Sequence, residues 1–205
     1  MKLYYLPGAC SLATHIVLEW SGEPYETVRL DRAALKAPEF LALNPNGAVP
    51  LLVDGDFVLT QNVAILCYLA ERSPAAGLFG TDARGRAEVN RWLGLLNSDL
   101  HPAFKPIFAP QRFHPDPNLA TAIADTARGN VRTWLGRLDT RMEGRDWLVD
   151  KRSIADPYLL VMLRWALRLN IGLDGLGNLS RFRERMVSDA GVRAAIVAEE
   201  GESAA

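Results

Sequence analysis

Near the start of the chain the apolar positions change period twice. "KLYYL" at 2–6 is short, aromatic and closed by Pro7-Gly8, the pattern of a buried strand running into a turn. From Ser11 to Ser21, Leu12, Ile16, Val17 and Trp20 recur at helical spacing, and Gly22 marks the stop. Tyr25 to Leu30 alternates again and predicts a second strand. Residues 31–48 read as irregular, because Pro38, Asn44-Pro45 and Asn46-Gly47 interrupt any long element. "VPLLVDGDFVLT" then predicts two strands joined by the hairpin signal Asp54-Gly55. A helix over 61–72 follows, with Val63, Leu66 and Cys67 on one face.

Pro and two Gly in "SPAAGLFGTDA", residues 73–83, read as a linker, and everything beyond it has helical patterning. The spacing predicts helices at about 84–109, 119–143, 154–170 and 177–198, the last broken near Asp189–Gly191. Pro102, Pro106 and Pro110 should kink or end the first of these. Ser153 stands three residues before Asp156 and just ahead of an apolar run, which approximates a capping box. That feature should matter for folding rather than chemistry. The order βαβ, ββα, then helices suggests a thioredoxin-like α/β unit over residues 1–77 and an all-helical unit over 84–205.

Composition narrows the partners more than the fold. The chain has 205 residues, 49% of them hydrophobic, and a formal net charge of -1. Such a balance supplies no bulk field for nucleic acid or anionic lipid. No apolar run reaches the roughly 18 residues that span a bilayer, and no leader pattern opens the chain, so a cytoplasmic protein is expected. The two cysteines, Cys10 and Cys67, have no partner at C-x-x-C or metal-ligand spacing, so neither a metal site nor a disulfide framework is expected. Cys10 nevertheless lies at a strand-to-helix turn, where unpaired amides and the helix dipole favour thiolate over thiol.

"YYLPGACSLATHI", "NPNGAVPLL", "LTQNVAILCYLAE" and "SIADPYLL" occur in an order and at spacings that resemble the cytosolic glutathione S-transferases over essentially the whole chain. "PGACS" and "SDLHPAFKPIF" are similar to the bacterial beta class. The resemblance implies glutathione as co-substrate, a small hydrophobic electrophile as second substrate and a homodimer. It places Cys10 and His101 at the reacting sulfur, with the Ser11 and Tyr5 hydroxyls as competing thiolate stabilisers. Read without the family, Ser11 is an ordinary first residue of a helix and Tyr5 a core aromatic. Pro50 would be trans by the usual preference; the resemblance implies cis, which turns the Val49 amide and carbonyl outward to pair with the cysteinyl part of glutathione. Asn62 and its amide would take the γ-glutamyl carboxylate, Gln61 would face the ammonium, and Lys36 the glycine carboxylate. Asp99 would reach the glutathione of a neighbouring subunit. Phe104, Phe108 and Trp165 divide between core and an apolar substrate wall.

Two further functions use the same residues. Cys10 alone could support monothiol disulfide exchange or peroxide reduction. The pair Gln61-Asn62, where the family commonly shows Glu or Gln followed by Ser, Thr or Gly, would also suit a non-catalytic ligand-carrying or interaction module.

Overall fold

The computed structural model describes residues 1–201; residues 202–205, the end of the expected helical unit, lie outside them. A four-stranded sheet of order β2-β1-β3-β4 forms from β1 (Lys2–Tyr5), β2 (Glu26–Arg29), β3 (Leu51–Asp54) and β4 (Phe57–Thr60). β1 pairs parallel with β2, Leu3 opposite Thr27, and antiparallel with β3, Leu3 opposite Leu52. The crossover between the parallel strands is α1 (Ser11–Ser21), and β3 turns into β4 at the expected hairpin, with Gly55 at φ 63°. The alternation in β1 buries Leu3 and Tyr5 under α1.

Residues 31–48 are more ordered than their prolines suggest. A short 3₁₀ turn, Ala34–Lys36, leads into α2 (Pro38–Leu43). Pro38 opens that helix, where a missing N–H costs nothing because the first helical amides have no partner anyway. α3 (Asn62–Arg72) then returns over the sheet.

The helical part begins at α4 (Ala83–Leu95) and continues without a break through a π turn, Leu96–Leu100, into α5 (His101–Phe108). Pro102 has no N–H to give the Ser98 carbonyl, and the wider turn absorbs the missing bond instead of breaking the helix. The chain leaves the helix at Ala109, just before Pro110. α6 (Ala120–Arg141), α7 (Ala155–Arg168), α8 (Gly177–Ser188) and α9 (Ala190–Glu200) complete the bundle. The break expected near Asp189 is present, and the Asp189 carboxylate caps α9 by accepting from Val192 N–H at 3.1 Å.

α7 is apolar almost all round, so burial is its only stable placement; its first nine residues are all buried, in one continuous core shared with α1 and the sheet. Its start is the capping box. Asp156 Oδ2 accepts from Ser153 N–H at 2.7 Å and from Ser153 Oγ at 3.0 Å, and Oδ1 accepts from Leu148 N–H at 3.0 Å. α1 is also buried over Ser11–Leu18, and its polar members are therefore paired. Thr14 donates to Asn62 Oδ1, and His15 bridges Glu199 of α9 and Tyr25, each at 3.0 Å. His15 thus ties the end of the chain to its beginning.

Gly80 is required where the linker turns into α4. Its φ is +79°, and a Cβ there would come within 2.6 Å of Gly85 C and 2.9 Å of Arg86 N, both backbone atoms. Gly80→Ala should cost about 1–3 kcal/mol, read as a lower urea midpoint with an unchanged m-value.

Candidate functional site

The start of α1, the segment ahead of β3, the start of α3 and the π turn with α5 enclose a cleft of about 380 Å³ between the sheet and the bundle. Cys10, Val49, Gln61, Asn62, His101 and Tyr158 line it. A larger hollow of about 620 Å³ lies between α4 and residues 145–153, but the groups around it are a solvated mixture of arginine, lysine and carboxylate with no cysteine or histidine among them. Among the described residues, nucleophile, imidazole and helix-start amides converge in the smaller cleft and not in the larger hollow.

Val49-Pro50 is cis, against the ordinary preference for trans. The Val49 carbonyl is turned toward the cleft, and Cys10 Sγ donates to it at 3.6 Å. Directly opposite, Gln61 holds φ 72°, ψ 117°, a backbone conformation that side-chain-bearing residues rarely adopt and that costs about 1–3 kcal/mol. It brings Asn62 into the first position of α3, where helix amides are open to an anion. Thr14 Oγ1 donates to Asn62 Oδ1 at 2.9 Å, which fixes the amide's orientation and turns Asn62 Nδ2 toward the Tyr158 hydroxyl.

Cys10 is beside the cleft as expected, but its ionisation is not. Burial pushes the thiol up to about 12, and the opposing backbone hydrogen bond at the helix start is the smaller effect; the Glu199 carboxylate raises it further. Desolvation of the charged form outweighs the helix-end partial charge here. Cys10 is therefore a neutral thiol at neutral pH. Iodoacetamide should modify it, in a Cys67→Ser variant, more than about a hundredfold slower than free cysteine near neutral pH. The rate should keep rising with pH, without a plateau below about pH 10.

His101 lies on the opposite wall. Burial first, and then the Lys105 ammonium, depress its imidazole to about 4, so the ring is neutral. Its Nδ1 lies 2.7 Å from the Tyr158 hydroxyl, which donates to Asn97 Oδ1 at 3.1 Å. Tyr158 and Asn97 were not legible as site residues. Tyr158 belongs to "SIADPYLL", where the local signal is the helix cap; Asn97 stands four residues before His101, a helical spacing that could have found it, but its partner Tyr158 lies 61 residues away.

Several expected positions fall elsewhere. The Tyr5 ring is 4% exposed, and its hydroxyl faces the Ala198 carbonyl of α9 at 3.5 Å, outside the cleft. Ser11 is fully buried, exchanging hydrogen bonds with Leu6 N–H and Leu6 C=O at 3.3 and 3.4 Å; its oxygen stabilises the turn and not a ligand. Lys36 is exposed on the 3₁₀ turn and does not line the cleft, whereas Lys105 does. Asp99 is exposed and lies outside the lining of its own cleft. Phe104 is fully buried and so belongs to the core, while Phe108, 51% exposed, carries the apolar face outward. Trp165 packs edge-on between them, with ring centroids 5.4 and 5.2 Å away, and its Nε1–H donates to Gly8 C=O at 2.8 Å. Among the described residues there is no cluster suited to a metal ion and no helix long and apolar enough to cross a membrane.

Residues 1–71 match the family model of the glutathione S-transferase N-terminal domain, and residues 100–190 that of the C-terminal domain. The glutathione S-transferase GST-4.5 of Xanthomonas campestris pv. campestris is 49% identical over 201 residues, 97% of this chain and 98% of that one. The bacterial beta class glutathione S-transferase of Sphingomonas chungbukensis is superimposable with a TM-score of 0.88 at 35% identity, covering 98% of this chain and all of that one. A sphingomonad glutathione S-transferase complexed with glutathione gives 0.87 at 37% identity, over 97% and 98%. With both domains matched in order on a thioredoxin-like sheet and a helical bundle, and with an end-to-end relative at half identity, this chain belongs to the glutathione S-transferase family.

Proposed function

We propose that the cleft binds glutathione and that the protein conjugates its thiolate to small apolar electrophiles. The observation that carries this reading is the convergence on one cleft of Asn62 at the α3 start, the Val49 edge, Cys10 and His101. The γ-glutamyl carboxylate fits the α3 amides and Asn62, with Gln61 toward the ammonium. The cysteinyl backbone pairs with Val49, which sets the thiol between Cys10 and His101. Binding energy along the peptide thus positions a sulfur that touches none of those anchors. Neutral His101 takes the thiol proton, and the S–H of Cys10 turns from the Val49 carbonyl to the thiolate. The sulfur bonds to the electrophilic carbon, the leaving group departs with its electron pair, and the proton passes from His101 to solvent.

Phe108 supplies an apolar wall for the electrophile. A homodimer is part of the reading, because Asp99 is exposed and outside the lining of its own cleft, as a carboxylate serving a partner's glutathione would be. So are a cytoplasmic location and a domain division between residues 77 and 84. Disulfide exchange through Cys10 is disfavoured by its high thiol pKa and by the lack of a resolving cysteine nearby.

Isothermal titration with glutathione tests the site. Saturable binding at one site per chain is expected, weakened about tenfold in Asn62→Ala by loss of a charge-assisted hydrogen bond, together with turnover of an aryl halide. Absence of both heat and turnover would retire the proposal.

A further inference from the structure

We propose that Tyr158 is a positioning residue that holds His101 in the Nδ1–H tautomer, so that a bare Nε2 faces the cleft as the acceptor of the glutathione thiol proton. This rests on the function proposed above, but the tautomer exists whether or not glutathione binds.

The assignment follows from counting donors. Tyr158 is fully buried on α7, and its hydroxyl carries one proton. Burial pushes this hydroxyl up, against the smaller opposing hydrogen bond from Asn62, so it stays protonated. Three groups lie around it: Asn97 Oδ1 at 3.1 Å, His101 Nδ1 at 2.7 Å, and the Asn62 side-chain amide, which donates to the hydroxyl oxygen and leaves its proton free. An amide oxygen can only accept, so the proton goes to Asn97. What Tyr158 then offers His101 is a lone pair, and a contact of 2.7 Å between two bare acceptors is repulsive. Nδ1 must therefore carry the hydrogen. A neutral imidazole has one N–H, which leaves Nε2 unprotonated.

The surroundings agree. Nε2 has no hydrogen-bond partner among the described residues and is not among the polar atoms sealed from solvent. The charged and titratable groups facing the ring are Lys105 on its own helix, Tyr158 from α7 and Cys10 across the cleft. None of them supplies an acceptor that would favour a proton on Nε2. The Trp165 ring, edge-on with its centroid 4.8 Å from that of the imidazole, packs against one side and opposes a flip. Asn97 and His101 stand four residues apart, which sets both on the helix face toward α7. The consequence is a base whose proton-accepting atom is chosen by a residue 57 positions away in sequence.

Nitrogen-15 chemical shifts of the histidine rings in the ligand-free protein at pH 7 test the proposal, with only His15, His101 and His114 to assign. His101 should show a pyrrole-like Nδ1 and a pyridine-like Nε2. In Tyr158→Phe the two shifts should move toward each other as both tautomers populate. The same variant should lose about tenfold or more in kcat/KM, with the KM for glutathione little changed. Asn97→Asp, which can only accept from the hydroxyl, should keep the wild-type tautomer. A pyrrole-like Nε2 in the wild type, or an unaltered tautomer and unaltered turnover in Tyr158→Phe, would overturn the assignment. The wild-type spectrum decides the point even if a variant fails to fold, and absence of glutathione turnover with the expected spectrum would sink the function and leave the tautomer standing.

Discussion

Asp156→Ala is expected to be the most destabilising single change in the molecule, at about 2–6 kcal/mol, since it strands two buried backbone donors that each cost about 1–3 kcal/mol unpaired. Those donors are Ser153 N–H and Leu148 N–H, and the carboxylate that receives them is fully buried. The loss is comparable with the whole stability of an ordinary domain. It falls on the start of α7, the helix around which the bundle packs, so a large drop in the urea midpoint or a failure to accumulate folded protein should follow. Asp156→Asn should rescue little, because an amide nitrogen would be turned toward a donor. The effect also has a pH signature. Burial pushes the Asp156 carboxyl up to about 6, against the opposing amide hydrogen bonds, while the unfolded chain titrates near the ordinary 3.8. Between those values the folded state holds a proton that the unfolded state has lost, so this group favours folding more as pH falls. The stability difference between wild type and Asp156→Ala should therefore widen from about pH 7 to about pH 4. A difference that narrows over that range would contradict the buried carboxyl.

His101→Ala is expected to have the largest effect on turnover: about a hundredfold in kcat/KM near neutral pH, within the range for loss of a positioned base. The deficit should shrink as pH approaches the ordinary thiol pKa of about 8.5, because glutathione then ionises without help. In the wild type the acid limb assigned to His101 should lie near 4 and not near 6.5, since burial and Lys105 keep the ring neutral down to that point. A profile that bends near 6.5, or a deficit independent of pH, would remove His101 from proton transfer and leave it as part of the cleft wall.

Cys10 shows why residue type and place in a helix were insufficient. Its position at the α1 start was legible from "PGACS", and the dipole there does favour thiolate, yet enclosure by Val49 and the surrounding core opposes ionisation more strongly. Tyr5 and Ser11 differ from Cys10 by which way the turn points them. Alternation along β1 drives Tyr5 inward, and the Leu6–Ser11 turn consumes the serine hydroxyl. Asn62 was legible, because the helix start and the preceding strand are local signals. That its Nδ2 would face the Tyr158 hydroxyl depended on Thr14, 48 residues away.

By itself, the sequence determined the period of the four strands and of every helix but α2, the hairpin at Asp54-Gly55, the cap at Ser153-Asp156 and the break at Asp189. Each is settled by residues within one or two turns of one another, where sterics and backbone hydrogen bonds dominate. Tertiary structure alone decided which hydroxyl reaches His101, that His15 pairs with Glu199 across 184 residues, and that Cys10 stays protonated. Those outcomes depend on desolvation and on partners brought together only by packing, quantities that no stretch of chain carries within itself.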